Sequence, residues 1–200
     1  MENKEVINTL NDIKDLMERS SKVKTISGLS IAIIGVLASL VSAFIYFFLG
    51  DYTINTPFKW KITIIVALSL LVVAFLTVFV MAYLKAKRHS MRFTMDTTMR
   101  NLLINFFVPM LAGGLLCLAL VQQQHYGLIS SITLIFYGLA LINCSHFSYP
   151  ALRYLGYVEL ALGLIDCFLV DYALLFWFLG FGVAHIVFGI IFMLKYERSK

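Results

Sequence analysis

Six long apolar runs dominate this chain and leave it few possible folds. They cover roughly residues 27–49, 61–84, 102–121, 127–145, 151–170 and 173–194. A helix needs about 20 apolar residues to cross the hydrocarbon of a bilayer, and each run is about that long. Because backbone N–H and C=O groups find no partner in lipid, a spanning segment forms an α-helix. The sequence therefore predicts an all-α fold, a six-helix transmembrane bundle.

The distribution of basic residues predicts the orientation of this bundle. The chain has 16 Lys and Arg residues, and all but Lys59 and Lys61 fall on one side of a six-span topology. Loops rich in Lys and Arg remain in the cytoplasm. We therefore expect both termini in the cytoplasm and the chain in the plasma membrane, with the lipid bilayer as its main partner. The net charge of +5 then reflects topology and anionic lipid, not nucleic-acid binding.

The segments outside the spans are short, so the chain divides simply. Residues 1–26 are predicted to form a cytoplasmic amphipathic helix and a basic linker. Residues 27–194 form the membrane domain, and residues 195–200 are a cytoplasmic tail. No loop is long enough to fold as a separate domain.

One face of the predicted N-terminal helix is apolar. Val6, Leu10, Ile13 and Met17 recur at intervals of three or four residues, which places them on one stripe. The acidic residues of this segment outnumber its basic ones, whereas a helix that lies on anionic lipid usually has a basic polar face. We therefore expect the stripe to dock on protein: the chain's own cytoplasmic loop, a second copy in a homo-oligomer, or a cytoplasmic partner.

The second loop carries a similar stripe. Met91, Met95 and Met99 are four residues apart, and faces rich in Met adapt to varied surfaces. Together with the N-terminal stripe they form the predicted docking surface. The alternative is that this loop only rests on the lipid headgroups. Either Asp96 or Thr97 is expected to cap the third span.

The ionisable side chains of Glu159, Asp166 and His185 lie inside the last two apolar runs, whereas Arg153 lies at the inner boundary of the fifth. Such groups are costly in a bilayer and usually mark a function or a packing partner. Helical spacing places each of them on a stripe with glycines. If the two spans fold back about a turn near residue 172, Glu159 and His185 come level. We predict a buried Glu159–His185 pair that serves either as a proton or ligand site or as a hydrogen bond between helices. Asp166 is expected to reach the outer headgroup water.

The third run contains Asn105, Pro109 and Gly113, each four residues apart. Because Pro109 cannot donate to the carbonyl four residues earlier, a kink is predicted, which is either a gating hinge or a packing irregularity. The first run has a stripe of small residues that predicts close helix packing: Gly28, Ala32, Gly35, Ser39 and Ser42.

The sequence offers no set of residues for known enzyme chemistry. The four histidines are isolated and are predicted to lie on different sides of the membrane, so they cannot converge on one metal centre: His89, His125, His146 and His185. The cysteines fit no metal-binding spacing and are predicted to be free thiols: Cys117, Cys144 and Cys167. The sequence has no HExxH, GxSxG or Gly-rich phosphate loop. We therefore predict no catalytic residue, no metal and no cofactor, and disfavour an enzyme.

Two stretches resemble a family of small bacterial multi-pass membrane proteins with no assigned activity. They are MERSSKVKTISGLS (17–30) and FWFLGFGVAHIVFGIIFMLKYER (176–198). RNLLINFFVP (100–109) and LIFYGLALINCS (134–145) are similar to the same family. The resemblance implies the bacterial inner membrane and brings no catalytic residues. Members are sometimes labelled carotene-cleaving oxygenases, and the scattered histidines argue against that label here.

Two functions from different classes follow from these features. The leading hypothesis is a non-enzymatic scaffold or sensor that uses the docking surface. The alternative is a small proton-coupled transporter or channel that uses Glu159 and His185. No internal repeat is visible in the sequence, and small transporters usually need a repeat or a dimer to build alternating access.

Overall fold

The computed structural model describes residues 23, 26–49, 57–88 and 96–197. Within these ranges the chain forms six helices, which confirms the all-α prediction for this part of the protein. The helices are α1 (Gly28–Leu49), α2 (Pro57–Arg88), α3 (Thr97–Gln122), α4 (Leu128–Cys144), α5 (Leu152–Asp166) and α6 (Val170–Glu197).

Four of these helices contain a stretch that is long and apolar enough to cross a membrane: Gly28–Phe48, Ile64–Lys85, Thr97–Gln122 and Val170–Glu197. The other two are shorter than the sequence predicts, since α4 has 17 residues and α5 has 15. At 1.5 Å per residue α5 is about 22 Å long, less than the roughly 30 Å of hydrocarbon. The fifth span is predicted to run to about residue 170, and the helix ends at Asp166, followed by a turn at residues 167–168.

The helix α6 lies at the centre of the described packing. It packs against α1 along much of its length, and against α4 and α5 through its first half. The helix α4 packs most extensively against α5, and α3 packs against α4. The described α2 packs mainly against α1, and its apolar stretch is not buried.

Small residues set the contact between α1 and α6. A methyl group added to Gly35 would lie 2.7 Å from the Ile186 nitrogen, and one on Gly189 would lie 2.6 Å from the Ala32 nitrogen. Only residues without a large side chain allow backbones to approach this closely. The predicted packing role of the small-residue stripe in α1 is confirmed, and its partner is α6.

Glycines also set the contact between α4 and α5. A methyl group on Gly138 would lie 2.7 Å from the Gly156 carbonyl oxygen, and the reverse distance is also 2.7 Å. A methyl group on Gly163 would lie 2.9 Å from the Ser131 carbonyl oxygen. The glycine face of α5 therefore packs on α4, while Glu159 of the same helix reaches α6.

The helix α6 is not uniformly α-helical. It begins with a 3₁₀ turn (Val170–Tyr172), residues 178–184 form a π-helical turn beside the buried site, and Met193–Glu197 form a second π-helical turn at its end. The sequence predicts Gly182, His185 and Gly189 on one stripe, but the two glycines contact α1 whereas His185 contacts α4 and α5. The wide π-helical turn changes the helical register between Gly182 and His185, whereas His185 and Gly189 belong to the same α-helical segment. Such turns often occur at functional sites.

The helix α3 runs without a break through Pro109. The Asn105 side chain donates to the Asn101 carbonyl at 2.9 Å, and a methyl group on Gly113 would lie 2.6 Å from Phe136 Cβ. The observed role of Gly113 is thus a close approach to α4, and the hinge remains a prediction. Asp96 caps α3 as predicted, since its Oδ1 accepts the Met99 N–H at 2.9 Å.

Several chain segments meet at one end of the molecule. Lys85 near the end of α2 donates to Glu197 Oε1 at the end of α6, at 2.8 Å, and the same oxygen accepts the Gly28 N–H at 3.3 Å. We call Lys85, Glu197 and Gly28 the clasp. Near it, Ser148 in the α4–α5 loop donates from Oγ to the Val23 carbonyl at 2.7 Å. The clasp therefore joins the start of α1 to the ends of α2 and α6.

Candidate functional site: a buried carboxylate–imidazole cluster

Glu159 and His185 lie in the interior of the described structure. Glu159 is in the middle of α5, and His185 follows the π-helical turn of α6. The exposed fraction is 0% for Glu159 and 1% for His185. His185 Nδ1 lies 3.2 Å from Glu159 Oε1. The structure thus brings together the two side chains that the sequence paired.

The hydrogen bonds of the imidazole define its protonation. Nδ1 of His185 lies 3.0 Å from the Gly180 carbonyl oxygen, and Nε2 lies 2.9 Å from Tyr137 Oη. A carbonyl oxygen can only accept, so Nδ1 carries a hydrogen. In the neutral ring, Nε2 then accepts the Tyr137 O–H. A second proton on Nε2 would reverse this bond, because Nε2–H would donate to the Tyr137 oxygen.

The carboxylate of Glu159 is close to the imidazole but not hydrogen-bonded to it. The Nδ1 hydrogen of His185 meets hydrogen-bond geometry with Gly180 and not with Glu159, so the contact with Oε1 at 3.2 Å is electrostatic. Neither carboxylate oxygen has a hydrogen-bond partner among the described residues. A buried carboxylate in this position is costly unless it holds a proton or faces a positive charge.

Gly180 makes room for this carboxylate. A methyl group on Gly180 would lie 2.5 Å from both Glu159 Oε2 and Leu134 Cδ2. The same residue offers its carbonyl oxygen to His185, five positions later in the chain. Gly180 therefore provides both the space for Glu159 and the acceptor for His185.

Sequence reasoning missed both Gly180 and Tyr137. Gly180 lies outside the glycine stripe of α6, so its position gave no signal. For Tyr137, the available signal was a hydroxyl in the middle of an apolar run. Its ring stacks on that of His185, with centroids 5.5 Å apart and an interplanar angle of 25°.

Asp166 is placed differently from the prediction. It is fully buried, and neither of its carboxylate oxygens has a hydrogen-bond partner among the residues that the structure covers. The prediction that it reaches headgroup water is wrong here, because the start of α4 covers it. The hydroxyls of Ser130 and Ser131 are the polar groups beside it. Since Asp166 follows Glu159 by seven residues, the two carboxyls are about 10 Å apart along α5.

Most of the predicted docking surface lies outside the described residues: Val6, Leu10, Ile13, Met17, Met91 and Met95. Met99 is described, is partly buried in the first turn of α3, and donates its backbone N–H to Asp96. The docking surface therefore remains a prediction.

The remaining histidines and the cysteines do not join the cluster. His125 and His146 are exposed, and His89 lies outside the described residues. The three cysteines are unpaired, and Cys144 donates weakly from Sγ to the Leu102 carbonyl at 3.4 Å. In the described ranges, no three His, Cys, Asp or Glu side chains are grouped as a metal ion would need.

The cluster of Glu159, His185 and Tyr137 can accept, hold and release a proton. Each contact from Glu159 to His185 and from His185 to Tyr137 is 3.2 Å or shorter, and each group has two possible protonation states or hydrogen-bond directions.

No protein-family model, curated protein or solved structure matches this chain.

Proposed function

We propose that this chain is a non-enzymatic plasma-membrane protein in which a proton bound at Glu159 and His185 drives a conformational change, as in a small proton-coupled transporter or channel. The observation that supports this proposal is the fully buried Glu159, whose two oxygens lack hydrogen bonds and lie beside an imidazole. A pair made only to join two helices would be expected to satisfy its polar atoms.

We further propose six membrane crossings with both termini in the cytoplasm. In that topology the segment before α1, the second and fourth loops and the end of α6 lie on one side. The clasp and the Ser148–Val23 hydrogen bond connect segments of this group. Because Lys and Arg residues are concentrated in the same segments, this end would face the cytoplasm. The short α4–α5 hairpin would cross with the help of its flanking turns.

The geometry indicates how a proton could act. A proton on Glu159 makes its carboxyl group neutral, which removes the cost of burying a carboxylate without hydrogen bonds 3.2 Å from His185 Nδ1. When the proton leaves, Glu159 is again a buried carboxylate without a hydrogen bond. Separation of α6 from α5, with entry of water, would relieve the unpaired carboxylate. The π-helical turn beside His185 is a place where α6 can change register.

Infrared titration of the protein in lipid nanodiscs tests the proposal. The carbonyl band of a protonated carboxyl should grow as pH falls, and Glu159→Gln should remove most of it. Asp171→Asn is the matched control, because Asp171 is exposed in the 3₁₀ turn that begins α6. A Glu159→Gln variant with an unchanged band would refute proton binding at this residue. In proteoliposomes, a pH-sensitive dye should show proton movement that Glu159→Gln abolishes and Asp171→Asn retains.

A cytoplasmic docking scaffold is the second candidate. Val23 supports it, because this residue lies just after the predicted amphipathic helix and is tied to the α4–α5 loop through both its N–H and its carbonyl group. Movement of a docked partner would thereby reach the bundle. Deletion of residues 1–20 should abolish function in this model and be tolerated in the proton-coupled model, whereas Glu159→Gln should do the reverse.

A further inference from the structure

Two buried polar side chains near Glu159 have no role in the cluster described above. Both oxygens of Asp166 and the hydroxyl of Ser131 are fully buried without a hydrogen-bond partner among the described residues. Native proteins rarely leave such atoms unpaired, and each one points to a proton, an ion or a water molecule. Because the two residues lie on the facing surfaces of α5 and α4, one explanation can account for both.

These groups are arranged in order along α5. A methyl group on Gly163 would lie 2.9 Å from the Ser131 carbonyl oxygen, so Ser131 is level with Gly163. Gly163 lies between Glu159 and Asp166 in the helix. Ser131 therefore lies between the levels of the two carboxyls, which are about 10 Å apart along the helix axis.

Asp166 is at the end of the molecule opposite to the clasp. Next to it, Ser130 Oγ donates to the Ala173 carbonyl at 2.9 Å, which joins the first turn of α4 to the start of α6. A methyl group on Gly127 would lie 3.2 Å from Val170 Cβ, so the turn before α4 is also adjacent to the start of α6. In the proposed topology this end faces the outside of the cell.

We propose that Asp166 and Ser131 form the outer half of a proton path that ends at Glu159; this inference rests on the proposed function. Asp166, which is buried in the described structure, takes a proton from outside water when the adjoining starts of α4 and α6 move apart, and a water molecule beside Ser131 relays it to the Glu159 carboxylate. Asp166 then returns to its ionised form, so no group is consumed. The polar groups that face Asp166 are the hydroxyls of Ser130 and Ser131, whereas Glu159 faces the titratable His185 and Tyr137.

The rate of proton uptake at Glu159 after a pH jump tests the path. The protein is held in lipid nanodiscs, and the Glu159 carboxyl band is followed by time-resolved infrared spectroscopy. Asp166→Asn should slow its appearance roughly a hundredfold, the low end of what a positioned proton-transfer group contributes, without moving its titration midpoint. Asp166→Glu should retain the rate, as should the control Asp171→Asn. Ser131→Ala should slow uptake less than Asp166→Asn.

The outcomes separate this path from the proposed function. If Asp166→Asn takes up protons at the wild-type rate, the path is wrong while Glu159 remains a proton site. If the wild-type Glu159 band does not titrate, the proposed function fails and the path fails with it. Should Asp166→Asn not fold, Ser131→Ala decides, because uptake at the wild-type rate in that variant overturns the path.

Discussion

Replacing Gly180 by Ala tests whether the fit around Glu159 is as tight as the structure shows. The added methyl group would lie 2.5 Å from both Glu159 Oε2 and Leu134 Cδ2. Both neighbours belong to residues that are fully buried, so neither can move out into solvent. The carboxylate or α6 must shift, and the distance of 3.2 Å between Glu159 and His185 must change with it.

The expected cost follows from two opposing effects. Extra atoms in a well-packed core usually cost about 1–3 kcal/mol. Replacing Gly by Ala inside a helix recovers about 0.5–1 kcal/mol. We therefore expect Gly180→Ala to lower the free energy of unfolding by about 1–2 kcal/mol. Gly114→Ala is the matched control, because a methyl group there meets no atom within 4 Å. Gly114→Ala should therefore raise the free energy of unfolding by the roughly 0.5–1 kcal/mol that Ala gains over Gly inside a helix.

Reversible unfolding in mixed micelles, followed by circular dichroism, measures both variants. Gly180→Ala should also lower the free energy of unfolding by less when Glu159 is already replaced by Ala, because one of the two close contacts is then absent. Equal stability of Gly180→Ala and the wild type would refute the described packing. An equal cost in both backgrounds would show that Glu159 is not the residue displaced.

Further predictions concern the ends of the helices. Gln124→Gly should raise stability by about 1 kcal/mol, because Gln124 holds a φ of 63° after α3, a conformation that is strained for L-residues and not for Gly. Gln123→Gly should not raise stability, because Gln123 has a φ of −87°. An equal gain in stability for the two variants would contradict this reasoning. Burial raises the pKa of Tyr149 above its usual 10.0, with a nearby carboxylate adding to the effect. The Tyr149 hydroxyl therefore keeps its proton to higher pH in the folded state than in the unfolded chain, so stability should fall as pH rises above 10.0. Tyr149→Phe should reduce that fall when unfolding is measured at a series of alkaline pH values. Lys85→Met should lower the free energy of unfolding by about 1 kcal/mol through loss of the clasp. Lys87→Met should lower it little, because Lys87 is exposed. Equal effects of the two variants in the micelle assay would count against the clasp.

Much of the fold follows from local patterns in the sequence. The apolar runs predict the helices, Asp96 predicts the start of α3, and spacings of three and four predict which small residues allow close packing. The Glu159–His185 contact could be predicted because it needs only helical periodicity and a tight antiparallel connection. These features depend on residues that are near one another in sequence or symmetric about one turn.

Features that depend on packing between distant segments were not predictable. The apolar run of α5 continues past Asp166, so composition gives no sign that the helix ends there and that α4 covers the carboxylate. The part played by Tyr137 depends on α4 lying beside both α5 and α6. The π-helical turn has no signature in its apolar residues, yet it holds Gly180, which contacts both Glu159 and His185.

Because residues 178–184 form a π-helical turn, the fold depends on the number of residues in this segment as well as on their identity. Deleting one residue from 178–184 would permit an ordinary α-helix, and each residue rotates a helix by about 100°. The parts of α6 on either side of the deletion would then point in new directions relative to each other. If the glycine face stayed on α1, the segment that holds Gly180 would turn away from Glu159. The region should therefore accept exchanges among apolar residues more readily than any change in its length.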